Sequence, residues 1–260
     1  MNRCMVGRHR NIEAMKLWLV AALALTVSGC APRGDDREGL SRAQSRDARQ
    51  AGAPSDAAPA AVPATPAAVA RPRIAILGDS LTAGLGVPKA AAYPALLQQR
   101  LDAVGLDFEV VNAGVSGDTS AGGLARLEWA LDGDVRILIV ALGGNDGLRG
   151  LPAGELQHNL AQIVERAQAR GITVVLAGME APPNYGREYL VAFHMVYPTL
   201  AKKYHVALVP FLLQGVAGND TLNQADGIHP TAAGARIVAD TVWKVLKPVA
   251  EQRRKGPPGS

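Results

Sequence analysis

Ser80, His229 and Asp226 are side chains of the three kinds that together can transfer an acyl group. A hydroxyl attacks a carbonyl, an imidazole takes its proton, and a carboxylate orients the imidazole and stabilises its charged form. Ser80 comes directly after the apolar run Ile74 to Leu77 and the stop at Gly78-Asp79. In an open parallel sheet ligands bind beyond the carboxyl ends of the strands, so a serine one step past a strand end stands where chemistry is done. The same triplet also suits a capped strand-to-helix turn, and the segment alone does not separate the two. Of the five histidines, His9 lies far upstream, His158 and His194 fall in helical patterns, and His205 stands just ahead of a strand. His229 is left in a loop, in Asp226-Gly227-Ile228-His229-Pro230, where Asp226 can reach its second ring nitrogen within one turn. That loop could equally be a turn that caps the last helix. Acyl transfer also needs donors for the developing oxyanion. The candidates are the Ser80 N–H at a helix start, the Asn145 amide, and Gly114, whose N–H carries no side chain beside it. A glycine kept only for tight backbone geometry would look the same.

These residues need elements that bring them together. Short Val-, Ile- and Leu-rich runs at Ile74 to Leu77, Phe108 to Asn112, Ile137 to Leu142, Thr173 to Ala177 and Val206 to Val209 predict five strands. Between them, helical patterns cover about Ala92 to Val104, Ser120 to Leu131, Ala153 to Arg170, Arg187 to Tyr204 and Thr231 to Leu246. Strict alternation implies a parallel sheet with right-handed crossovers and helices on both faces: a three-layer α/β/α, flavodoxin-like domain with a five-stranded parallel sheet. Its topology would bring the loops after Leu77, Asn112 and Leu142, and the loop before the last helix, to one edge.

The ends of the chain read differently. Met15-Lys16, the apolar run Leu17 to Val27 and the small residues before Cys30 describe an export signal too short to span a bilayer, so residues 1–29 are expected to be a signal peptide, with Met15 the expected start. Val27-Ser28-Gly29-Cys30 resembles a bacterial lipobox with Cys30 as the lipid-bearing residue, and Ala31 after it suits the outer membrane. Residues 30–71, rich in Ala, Pro, Arg and Asp, read as a disordered tether, 72–248 as the folded domain, and 249–260, with Arg253, Arg254 and Lys255, as a solvated basic tail. The formal charge of +4 gives no reason to expect a nucleic-acid partner, because Arg3, Arg8, Arg10 and Lys16 against Glu13 supply most of it ahead of Cys30. Apart from Cys30 the only cysteine is Cys4, upstream of the expected cleavage, so no disulfide, zinc-thiolate or cysteine-nucleophile reading remains.

Gly78-Asp79-Ser80-Leu81, Gly114, Gly143-Gly144-Asn145-Asp146 and Asp226-Gly227-Ile228-His229-Pro230 resemble, in order and spacing, the blocks of the SGNH (GDSL) hydrolases. Met179 and Pro182-Pro183-Asn184-Tyr185-Gly186 look like the branch of thioesterase I/protease I/lysophospholipase L1 and the arylesterases. The resemblance implies an esterase with Ser80 as nucleophile, His229 as base, Asp226 as its partner, and Ser80, Gly114 and Asn145 as the oxyanion hole. It further implies aryl and alkyl esters, acyl thioesters or lysophospholipids as substrates, and no metal or organic cofactor. Asp79 and Asp146 would brace loops. Leu148, Tyr185 and Leu190 follow strand ends and could line an acyl pocket. A monomer anchored through lipidated Cys30 and facing the periplasm is the expected form. Two rivals stand beside this reading: a metal-dependent phosphoesterase grouping Asp79, Asp118, Asn145, Asp146 and His229, and a lipoprotein that binds an apolar ligand without catalysis.

Overall fold

Strands that are apolar on both faces can be stable only between two helical layers, and the computed structural model, which describes residues 71–254, builds that arrangement. Strand β1 is Arg73–Gly78, β2 Glu109–Gly114, β3 Val135–Ala141, β4 Thr173–Ala177 and β5 Ala207–Val209. All pair in parallel, in the order β2-β1-β3-β4-β5. From β1 the chain steps to β2 on one side and then crosses back to β3 on the other. The carboxyl ends of β1 and β3 therefore lie side by side where the order reverses, which is where open α/β sheets bind ligands.

The helices are α1 (Ser80–Ala83), α2 (Tyr93–Ala103), α3 (Ser120–Ala125), α4 (Leu127–Ala130), α5 (Gly144–Leu148), α6 (Ala153–Ala169), α7 (Arg187–Tyr204) and α8 (Ala232–Arg254). Helix α6 buries Leu156, Leu160, Ile163, Val164 and Ala167, spaced as one helical face. From α8 the same layering is met by Val238, Val242 and Leu246, and the central strands Ile74–Leu77 and Ile137–Val140 are shielded from both sides.

The five strands and five long helical segments fall where the residue patterns place them, with three differences. The segment Ser120 to Leu131 is two helices, broken at Arg126. Gly122 and Gly123 hold a helix weakly, and the Arg126 guanidinium is diverted to carbonyls at the strand ends. Short helices α1 and α5 open directly at the ends of β1 and β3, where the sequence shows only loop signals. The expected basic tail from 249 is helical as far as Arg254. Pro248 removes one helical donor, but Ala250 is fully buried and Arg253 donates to Thr173 Oγ1 and the Gly171 carbonyl, which anchors the last turn. The expected signal peptide, Cys30, the expected tether up to residue 70 and Lys255 onwards lie outside the described residues. No helix among the described residues is long and apolar enough to cross a membrane.

The core at the middle of β3 should resist truncation poorly. Ile139 is fully buried in the central strand, and Ile139→Ala is expected to lower the unfolding free energy by about 2–5 kcal/mol in urea titrations followed by circular dichroism.

Candidate active site

Ser80 is the first residue of α1, and Asp79 caps that turn: its Oδ1 accepts from the Leu81 N–H at 3.0 Å. The Ser80 hydroxyl lies 2.8 Å from His229 Nε2, although the two residues are 149 positions apart. His229 Nδ1 is 2.6 Å from Asp226 Oδ2. A carboxylate only accepts, so the ring proton sits on Nδ1 and Nε2 is left to accept from the serine. Asp226 Oδ1 takes the Ile228 and His229 backbone N–H groups at 2.9 and 3.0 Å, closing the Asp226–His229 segment into a tight turn. The His229 N–H, the imidazole and the Ile228 N–H hold the Asp226 carboxyl down at about 2, so it stays ionised wherever an imidazole could act as base.

The turn is fixed to the other end of the chain. Gln224 donates through Nε2 to the Leu85 carbonyl at 2.7 Å and to the Pro230 carbonyl at 3.0 Å, and its N–H reaches the His229 carbonyl at 2.7 Å. One side chain therefore ties the histidine loop to the loop that leaves α1.

Ser80 and His229 open into a cleft of about 530 Å³. Its wall is mostly apolar, with Leu81, Leu85, Leu148, Met179, Phe211 and Ile228 among the contributors, and Ser80, His229 and Asn145 are among its polar groups. Asn145 is there, on the first turn of α5. Its Nδ2 donates to the Asp118 carbonyl at 2.9 Å and makes only a long contact of 3.4 Å to Asp79 Oδ2, so one amide proton is loosely held.

Gly114 is not at the cleft. Its N–H already donates to Asn112 Oδ1 at 3.0 Å, and the residue faces a separate groove beside α2. It is glycine for room: a Cβ there would stand 2.3 Å from the Ala83 nitrogen. The glycine that does line the cleft is Gly117, three residues on, with φ +86°. Among the described residues the Gly117 N–H has no acceptor, and its carbonyl is held by Arg149 Nη2 at 2.8 Å. Both glycines stand in one Gly-rich loop, and the signal for choosing between them was that Gly114 ends a strand whereas Ser116-Gly117-Asp118 is the turn beyond it. The pocket residues divide in the same way. Leu148 lines the cleft. Tyr185 and Leu190 are not in its lining: the Tyr185 hydroxyl donates to the Leu148 carbonyl at 2.8 Å, and Leu190 is on α7.

Polar groups hold this edge of the sheet together. Arg126 donates to Asp118 Oδ2, the Ala113 carbonyl and the Gly78 carbonyl at 2.5, 2.7 and 2.7 Å, joining the ends of β1 and β2 to the Gly117 loop. Asp146, buried, accepts from the Ser120 N–H at 2.8 Å and hydroxyl at 2.5 Å, and Asn159 donates to the same hydroxyl. Asp79, Asp118 and Asp146 are thus each engaged by donors of the chain itself, and no set of three or more potential ligands suited to a metal exists among the described residues. The phosphoesterase grouping has no support.

Residues 76–237 match the GDSL-like lipase/acylhydrolase family. The chain belongs to that family. Esterase TesA of Pseudomonas aeruginosa is 48% identical over 175 residues, which cover 67% of this chain and 87% of that relative. Thioesterase 1/protease 1/lysophospholipase L1 of Escherichia coli is 42% identical over 183 residues (70% and 86%), and an arylesterase of Vibrio mimicus is 37% identical over 181 (69% and 90%). Among solved structures, that of TesA superposes with a TM-score of 0.66 at 47% identity, covering 68% of this chain and 99% of that one. The esterase EstA of a Pseudoalteromonas species, inhibited by monoethylphosphonate, superposes with 0.65 at 33% identity (69% and 98%). The chain is therefore a hydrolase of the GDSL-like, SGNH kind, with the α/β architecture of those esterases.

In this GDSL-like chain the aspartate of the Gly-Asp-Ser-Leu block carries an energetic cost. Burial pushes the Asp79 carboxyl up to about 6, with the Leu81 N–H and His229 opposing the rise. A carboxyl that ionises more easily in the unfolded chain gives stability fully present below its unfolded pKa and lost as pH rises through about 6. Thermal and urea unfolding should therefore show the stability of Asp79→Asn gaining on the parent by about 2 kcal/mol between roughly pH 4 and pH 8. A constant difference across that range would contradict the assignment.

Proposed function

We propose that the protein hydrolyses carboxylic esters through an acyl-enzyme formed on Ser80. His229 Nε2 takes the hydroxyl proton as Ser80 Oγ bonds to the carbonyl carbon, and the imidazolium is held by Asp226. The proton then passes to the departing alcohol or thiol as its bond to the carbonyl breaks. Water, deprotonated by the same imidazole, attacks the acyl-serine and releases the acid and the free hydroxyl. The observation that carries this reading is the continuous hydrogen-bonded row Ser80 Oγ, His229 Nε2, His229 Nδ1, Asp226 Oδ2, whose serine and histidine line a mostly apolar cleft.

The oxyanion would be received by the Ser80 and Gly117 N–H groups and by the loosely held Asn145 proton. Helix α1 has only four residues, so its dipole adds little to the Ser80 N–H. The names of the relatives support aryl esters, acyl thioesters and lysophospholipids as substrates. The proposal extends to location: Val27-Ser28-Gly29-Cys30 supports export and attachment through a lipid on Cys30.

Purified protein is expected to cleave acetyl and butyryl p-nitrophenyl esters. Ser80→Ala should lose at least about a thousandfold in kcat, with its far-ultraviolet spectrum and unfolding curve unchanged. A variant as active as the parent would defeat the assignment of Ser80, whereas a parent that cleaves none of these esters would favour the non-catalytic binding reading.

A further inference from the structure

Two carboxyls of the cleft lining take no direct part in the ester chemistry, Asp79 and Glu180, and Glu180 is the one that is not buried. Glu180, just past β4, lines the cleft beside Met179, Ala181 and Pro182. Its Oε1 accepts from His194 Nδ1, on α7, at 2.7 Å in a partly exposed contact, and Oε2 has no partner among the described residues. Nothing in the wall offsets it. No lysine or arginine lines the cleft; of the two arginines that hold its loops, Arg126 is paired with Asp118, and Arg149 donates to the Gly117 carbonyl from outside the lining. The other carboxyl of the lining, Asp79, is buried and directed to the Leu81 N–H. A negative charge at the solvent-facing side of a mostly apolar wall acts over a short range on charged groups that enter.

We propose, building on the ester-hydrolase reading, that Glu180 selects substrates by charge. The cleft takes esters whose acyl part is neutral or cationic, such as one carrying a quaternary ammonium, and discriminates against acyl parts bearing a carboxylate. Glu180 touches neither the reacting carbonyl nor Ser80, so it sets which ester is taken and not whether an ester is cleaved.

The test uses three p-nitrophenyl esters with one leaving group and acyl chains of similar length: butyrate (neutral), hemiglutarate (anionic) and 4-(trimethylammonio)butyrate (cationic). Each is normalised to its rate with hydroxide and assayed at about pH 8, above the range in which imidazoles ordinarily titrate. Relative to the parent, Glu180→Gln should raise the anionic-to-neutral ratio of kcat/KM roughly tenfold and lower the cationic-to-neutral ratio several-fold. Glu180→Lys should invert the order, and about 1 M NaCl should shrink both effects. Ratios that stay within about twofold of the parent in both variants would overturn this proposal alone. Failure of the parent to cleave the neutral ester would overturn the ester-hydrolase reading and this proposal with it.

Discussion

The hydrogen bond between the Ser80 hydroxyl and His229 Nε2 joins two residues 149 positions apart, and most of the polar architecture at this edge of the sheet serves to keep it short. A hydroxyl and an imidazole on independent loops would drift by more than the tolerance of a proton transfer. Here neither is independent. Ser80 is fixed by the Asp79 cap and the buried strand beneath it, and His229 by Asp226, whose carboxylate accepts from two backbone N–H groups and the ring at once. Gln224 closes the circuit between the two ends of the chain. The sheet order makes this cheap: at the β1/β3 reversal the loops already face one crevice, so only the last connection has to be pinned by side chains.

Stability is given up around that bond. Asp79 is a carboxyl in a buried position, Asp146 another, and the Arg126 guanidinium sits largely covered among carbonyls. Buried polar groups of this kind stabilise little against an apolar alternative but penalise any other arrangement, because breaking one leaves a partner unsatisfied. The apolar layers supply the stability that offsets them, with Ile74 to Leu77 and Ile137 to Val140 sealed on both faces. Function and fold thus divide along the strands, with the middle of the sheet for cohesion and its carboxyl ends for chemistry.

Alternation of buried strands and amphipathic helices made the fold legible from the residues, because a parallel sheet leaves near-continuous apolar runs and its crossovers leave helical faces. Ser80, His229 and Asp226 were legible for a different reason: Ser80 stands just beyond a strand end, and His229, with Asp226 three residues before it, is the histidine of the folded region set in a loop and not in or beside a helical or strand pattern. Gly114 was misread because a glycine gives no side-chain clue to which way its N–H points. Only the path of the backbone shows that Ala83 fills the space at 114 while 117 reaches the cleft. The break at Arg126 and the helical end past Pro248 were hidden because both depend on partners distant in sequence, the carbonyls of Gly78 and Ala113 in one case and Thr173 in the other. Tyr185 and Leu190 were placed in the pocket from their position after a strand, which fixes the neighbourhood of a side chain but not its direction.

The account stands or falls on where a tetrahedral adduct would lie, and a crystal structure of this protein inhibited by a monoalkylphosphonate, the kind of inhibitor bound in the Pseudoalteromonas esterase, measures it directly. The phosphorus should be bonded to Ser80 Oγ, with its free oxygen about 2.7–3.1 Å from the Ser80 and Gly117 nitrogens and from Asn145 Nδ2. Phosphorus bonded to another residue, or an oxygen turned away from Gly117 and Asn145, would contradict it.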